Sequence, residues 1–186
     1  CNLQKGAAMI LKLTKYISIR GIVLLLSSRA LAMDIPVEIT GVIQVPPCQV
    51  NNGEVIEVNF GDISVTDVSN QHNRRKVIIP VTCGYAQGTA YVKVTGAPLG
   101  SNKNVLMTNI NNFGIALYQG DGTTHKLILG EGKGNGNDTI GYPIESGLSG
   151  KDSATFTFTA MPYKEGNSEL KAGVFFATAS ISIRYQ

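Results

Sequence analysis

The chain has 186 residues, 43% of them hydrophobic and 16% charged, with three cysteines and no tryptophan. Its net charge of +3 hides an asymmetry: residues 1–32 hold five basic residues and no acidic one, which leaves 11 Lys and Arg against 13 Asp and Glu, a net −2, in residues 33–186. That remainder lacks the basic surface that nucleic acid demands, which excludes a nucleic-acid partner.

Read in chain order, Met9 is the expected start, with Cys1–Ala8 upstream of it. A lipid anchor on Cys1 is the rival reading, but no lipobox is visible ahead of it. Lys12, Lys15 and Arg20 lead into the apolar run Ile22-Val23-Leu24-Leu25-Leu26, and Ala30-Leu31-Ala32 has the small-x-small form of a cleavage site. This is a secretory signal peptide cut after Ala32. About ten apolar residues fall short of the roughly twenty that a membrane span needs.

Residues 34–48 follow with a strand-like alternation. Val37, Ile39, Gly41, Ile43 and Val45 share one face, while Glu38, Thr40, Val42 and Gln44 share the other. Pro36 precedes the run and Pro46-Pro47 end it, and proline cannot extend a central ladder. The segment therefore reads as a separate element, free to pair elsewhere. Export leaves Cys48 and Cys83, 35 residues apart, with no CxxC spacing or histidine cluster to support a metal pair or a nucleophile. A structural disulfide is the reading.

The strands expected next are Val55–Phe60, Lys76–Cys83, Thr89–Thr95, Phe113–Gln119, His125–Leu129, Ala154–Met161 and Phe175–Tyr185. Turn signals separate them at Asn51-Asn52-Gly53, Gly96-Ala97-Pro98, Asp121-Gly122 and Lys164-Glu165-Gly166-Asn167. No convincing helix appears. Seven or so short strands in about 140 residues predict one antiparallel sandwich. In the last strand Phe175, Ala177, Ala179, Ile181, Ile183 and Tyr185 alternate with polar residues, behind Gly173.

The two ends together resemble the pilins of bacterial chaperone–usher fimbriae. That family's pattern is an alternating N-terminal arm with a central glycine, a cysteine bonded to another about 35 residues on, a penultimate tyrosine and a glycine fourteenth from the end. Gly41, Cys48, Cys83, Tyr185 and Gly173 occupy those places, and VNFGDI (58–63), FGIALYQG (113–120) and TFTFTAMP (155–162) match as well. Within the family the chain is most similar to the minor tip subunits of P fimbriae.

The resemblance implies an all-β, incomplete immunoglobulin-like sandwich that lacks its last strand, with an N-terminal donor-strand extension. Residues 1–32 would be upstream residues and signal peptide, 33–46 the donor strand and 47–186 the pilin domain. Val37, Ile39, Gly41, Ile43 and Val45 would fill a neighbour's groove. Gly173, Phe175, Ala177, Ala179, Ile181, Ile183 and Tyr185 would form one wall of this chain's own groove. The implied partners are a periplasmic chaperone, an outer-membrane usher and adjacent fimbrial subunits, with the tip adhesin among them. The implied destination is the fimbria on the cell surface, with no enzymatic activity, cofactor or metal.

The remaining features have plainer readings. His72 and His125 lack partners at useful spacing for a metal or general-base role and read as solvated loop residues. The run from Gly130 to Gly136 fits no phosphate-loop pattern and reads as a hairpin loop. Arg74-Arg75-Lys76 reads as a solvated edge, with subunit contact as the alternative. Asn137-Asp138-Thr139 has the glycosylation pattern, which means little in a bacterial secretory protein. Tyr85, Tyr91, Tyr118 and Tyr142 read as core or interface residues rather than a sugar site. The functional alternative is a secreted one-domain carbohydrate-binding adhesin.

Overall fold

The structure is a computed structural model that describes residues 35–135, 138–149 and 153–186. The signal-peptide and start-site expectations, and the Asn137 glycosylation pattern, lie outside the described residues. The chain divides into two compact units, residues 1–42 and 43–186. In the first, the described residues 35–42 form no strand or helix, and Ile35, Val37, Ile39 and Val42 are exposed.

Among its described residues the second unit has twelve strands. The first six are β1 (Gln49–Val50), β2 (Arg75–Thr82), β3 (Ala90–Thr95), β4 (Pro98–Leu99), β5 (Asn102–Met107) and β6 (Phe113–Gln119). They are followed by β7 (His125–Lys126), β8 (Lys133–Asn135), β9 (Asp138–Pro143), β10 (Leu148–Ser149), β11 (Ser153–Lys164) and β12 (Ser180–Tyr185). One sheet runs β1-β2-β11-β6-β5-β4, with β10 beside β11 and β7 beside β6; the other runs β12-β3-β9-β8. All the pairings between these strands are antiparallel.

The core lies between the two sheets. Val81, Ile115 and Phe156 from the first meet Val92, Val94 and Ile183 from the second in one buried cluster. Polar groups drawn into it are bonded: the Thr159 hydroxyl donates to the Gly120 carbonyl at 2.8 Å and accepts the Gly122 N–H at 3.1 Å. Pro162 is accommodated in β11 because only β6 flanks it there; the β2 pairing ends at Ala160. The Asn51-Asn52-Gly53 signal is a single 3₁₀ turn with φ of 48°, 53° and 82°, the left-handed values that Asn and Gly tolerate. Cys48 and Cys83 are disulfide-bonded.

Three expected strands are corrected. His125–Leu129 is a strand only over His125–Lys126. Beyond it the chain passes from one sheet to the other: the Leu129 N–H donates to the Lys103 carbonyl of β5, and the Gly130 N–H to the Val94 carbonyl of β3. Val55–Phe60 forms no strand, and Phe175–Tyr185 is a strand only from Ser180. These two segments face each other across a gap, so each lacks the neighbour that would make it a ladder. In the opposite direction, Lys133–Asn135 in the expected glycine loop pairs with β9 as a short strand.

Candidate strand-accepting groove

The alternation of backbone groups along the last strand defines the gap. Gln186 and Thr89 exchange N–H···O bonds of 2.8 and 2.9 Å, so even-numbered residues of β12 turn their backbone toward β3. Odd-numbered residues turn theirs the other way, and there the Ile183 carbonyl accepts the Cys48 N–H at 2.8 Å. Upstream of β12 nothing continues this outer pairing. Among the described residues, the N–H and C=O groups of Gly173, Phe175, Ala177 and Ala179 have no hydrogen-bond partner. Across the gap, the backbone of residues 56–58 is equally unpaired.

Between these two edges runs a trough of about 1030 Å³, walled by Ile56, Val58 and Phe60 on one side and Phe175, Ala177 and Ala179 on the other. A deeper slot of about 310 Å³ reaches core side chains, with Leu106, Ile115, Leu117, Leu127 and Phe158 at its floor. One end is aromatic. Phe175 meets Phe113 edge-on at 4.8 Å and approaches Phe60 from the other wall at 6.1 Å. The arrangement has unpaired backbone on both rims and an apolar floor. It therefore offers an extended apolar segment two ladders and a core to complete.

Each wall is bonded from outside by a side chain. Arg75, at the start of β2, donates from Nε to the Asn59 carbonyl at 3.3 Å and from Nη2 to the Phe60 carbonyl at 2.9 Å. Its guanidinium also lies 5.7 Å from the Phe60 ring centre. Arg75 is therefore half-buried and bound, not part of a solvated edge, whereas Arg74 and Lys76 face Asp121. On the other wall the Asn109 amide receives the Phe176 N–H at 2.9 Å and donates to the Val174 carbonyl at 3.0 Å. The sequence offers no signal for Asn109, one polar residue in a polar turn. Arg75 belongs to the basic cluster Arg74-Arg75-Lys76, but its reach to Asn59 and Phe60 is a matter of tertiary placement.

The expected groove residues divide by position. Gly173, Phe175, Ala177 and Ala179 line the trough, and Ile181 lines the deeper slot. Ile183 and Tyr185 are packed in the core, at 0% and 7% exposure, and hold β12 against β3 rather than lining the gap. Of the expected donor residues, Val37, Ile39 and Ile43 are exposed, Val45 is half-buried, and Gly41 has open space where a Cβ would stand.

The two histidines and the carboxyls with lowered titration lie away from the trough lining. His72 faces Asp67 at 3.4 Å and His125 faces Glu145 at 3.3 Å, all exposed. A hydrogen bond from Lys76 at 2.9 Å, then that residue's charge and that of Arg74, lower the Asp121 carboxyl below its ordinary range. The Glu131 carboxyl is lowered by the Thr139 hydroxyl and then by Lys93. The four tyrosines go to separate places: Tyr91 under the Lys133 ammonium, Tyr118 against the small outer cluster of Leu99, Val105 and Ala116, Tyr142 opposite Val92, and Tyr85 at the surface. They assemble no common site.

A two-sheet antiparallel sandwich, open along one seam and preceded by an exposed apolar segment, defines an incomplete immunoglobulin-like subunit of the kind that strand addition completes. The chain belongs to the fimbrial protein family, whose model matches residues 37–186. It is 44% identical over 163 residues to the fimbrial adapter PapF of Escherichia coli, across 87% of this chain and 94% of that one. The minor fimbrial protein PrsF of Escherichia coli is equally similar, at 44% over the same shares. Among solved structures, the P pilus adaptor subunit PapF superposes with a TM-score of 0.54 at 38% identity, over 77% of this chain and 98% of that chain. The P pilus rod subunit PapA, at 15% identity, covers 81% and 100% with a TM-score of 0.51 and shares the fold.

Proposed function

We propose that this chain is a structural minor subunit of an adhesive fimbria and polymerises by donor-strand exchange. Its groove accepts the arm of one neighbour, and its own arm completes another. A periplasmic chaperone fills the groove until the exchange takes place at an outer-membrane usher. The observation that carries the reading is the pair of unpaired backbone rims, Ile56–Val58 and Gly173–Ala179, flanking an apolar floor. Residues 33–46 serve as the donor strand ahead of a pilin domain of 47–186. Ile39, Ile43 and Val45 enter the neighbour's groove, with Val37 extending the contact and Gly41 at its shallowest point. Each aliphatic side chain so buried contributes roughly 1.5–3 kcal/mol as an upper figure. Register is fixed because a one-residue slip turns Glu38 and Thr40 inward. The similarity to PapF and PrsF supports placement as an adaptor between tip adhesin and shaft.

The test is deletion of residues 34–45 with the chaperone co-expressed. The expected product is a soluble chaperone-bound subunit that still accepts a neighbour's arm but cannot complete another subunit. If the deleted chain joins both neighbours normally, the arm is not the donor.

A further inference from the structure

We infer that Asn109 is a positioning residue: its amide stands in for a missing strand and keeps the Gly173–Ala179 wall extended and ready for its ladder. This rests on the strand-accepting reading above and names a residue through which it works.

The geometry is specific. Val174 and Phe176 are even-numbered, so their backbone groups point to the β3 side of the last strand. The β3 ladder ends at the pair Thr95 and Ser180, and Gly96 and Ala97 lead the chain away into β4. Four to six residues further up the wall, the Asn109 carboxamide receives one N–H and gives one N–H, as a peptide unit of a neighbouring strand would. Without it, among the described residues, no group bonds the backbone of residues 173–179 on either side.

Asn109 is itself held in place. It occupies the turn between β5 and β6, where the Thr108 hydroxyl receives the Ile110 N–H at 3.1 Å and donates to the Phe113 carbonyl at 2.8 Å. Asn112 adopts φ of 58° to close the turn, and its carbonyl accepts the Glu165 N–H at 2.8 Å. The same turn sends Phe113 against the Phe175 ring. One rigid hairpin tip thus grips the wall twice, through a carboxamide on the backbone and through a ring on the inward side chain.

A free edge that must be ordered during binding charges that ordering against affinity and rate, whereas a pre-ordered edge does not. Because the clamp occupies only even-numbered groups, it leaves the odd-numbered rim available to the incoming strand. The clamp and the donor therefore act on opposite sides of the same segment and do not compete.

The experiment uses the mature chain in complex with its chaperone and compares wild type, Asn109→Ala and Asn109→Asp. Hydrogen exchange of the Phe176 amide, which faces Asn109 and not the groove, reports the clamp. Uptake of labelled donor-arm peptides from the co-assembling fimbrial subunits, with this chain's own residues 34–46 as the self-arm control, reports acceptance. In Asn109→Ala, the Phe176 amide is expected to exchange about tenfold faster and peptide uptake to slow about tenfold, with Val92 protection in the core unchanged. Asn109→Asp retains the acceptor, so Phe176 stays protected, but it loses the donation to Val174. Unchanged Phe176 exchange in Asn109→Ala overturns the inference, as does faster exchange with unaltered peptide uptake. If the wild-type chain takes up none of the neighbours' arm peptides, the strand-accepting reading fails, and the positioning role falls with it even where Phe176 exchange still depends on Asn109.

Discussion

The Cys48–Cys83 bond closes a loop of 35 residues that runs from the foot of the arm, along the first groove wall and through β2. In the chain-entropy model a loop of this length restricts the unfolded chain by about 4 kcal/mol. The buried position of both sulfurs, at 8% and 7% exposure, means that reduction leaves the surrounding packing filled. The assay is urea unfolding of the mature chain complemented by a fixed excess of a neighbouring subunit's arm peptide, oxidised against reduced, since bound peptide adds the same term to both. With a slope of about 2 kcal/mol per molar urea, reduction is expected to lower the midpoint by about 2 M. A shift below about 0.5 M refutes the reasoning, because the bond would then constrain nothing that folding does not already constrain.

Three further outcomes follow from particular residues. Gly141 adopts φ of 89° and lies against β3, where an added Cβ would overlap the Val92 carbonyl; Gly141→Ala is expected to cost on the order of 3 kcal/mol by the same urea assay. The Asp121 carboxyl titrates below its ordinary value of 3.8 because of Lys76 first and Arg74 last. Its folded-state value is lowered, so what this pairing contributes is present above pH 3.8 and is lost as pH falls through the folded value. A carboxyl titration followed by NMR should find it raised in Lys76→Ala. Gly41→Leu is expected to slow delivery of this arm to a neighbour while leaving the unfolding midpoint of the chain itself unchanged, measured by peptide competition with the two arm sequences.

Much of the sandwich is legible in the sequence. Phe113–Gln119 is observed with the expected bounds, and β2, β3 and most of β11 lie within a few residues of theirs, because β-branched and aromatic alternation is strong there. The strands that escape are the polar or interrupted ones. The NKNVLM run of β5 carries Asn104 inward, where its amide donates to the Leu117 carbonyl at 3.1 Å, and β9 contains Gly141 and ends at Pro143. No alternation rule finds a strand whose buried face includes an asparagine.

The two segments around the gap are the instructive case. Val55–Phe60 and Phe175–Ala179 have strand sequences, and their alternation places Val58, Phe60, Phe175 and Ala177 toward the interior. They are not ladders here because pairing is a property of two segments, and the chain supplies only one of each pair. Arg75 and Asn109 were not legible as wall supports because they lie 15 to 16 and 65 to 67 residues from the groups they bond. Separations of that kind are set by topology alone.

The most direct measurement is photocross-linking with a neighbouring subunit's arm peptide that carries a reactive group at a groove-facing apolar position, added to the chaperone-bound mature chain and mapped by peptide mass spectrometry. Strand insertion predicts adducts confined to the two rims, residues 55–60 and 173–179, and to the floor around Leu117 and Phe158. Adducts spread over the outer faces of the sheets, with the rims unlabelled, would contradict it.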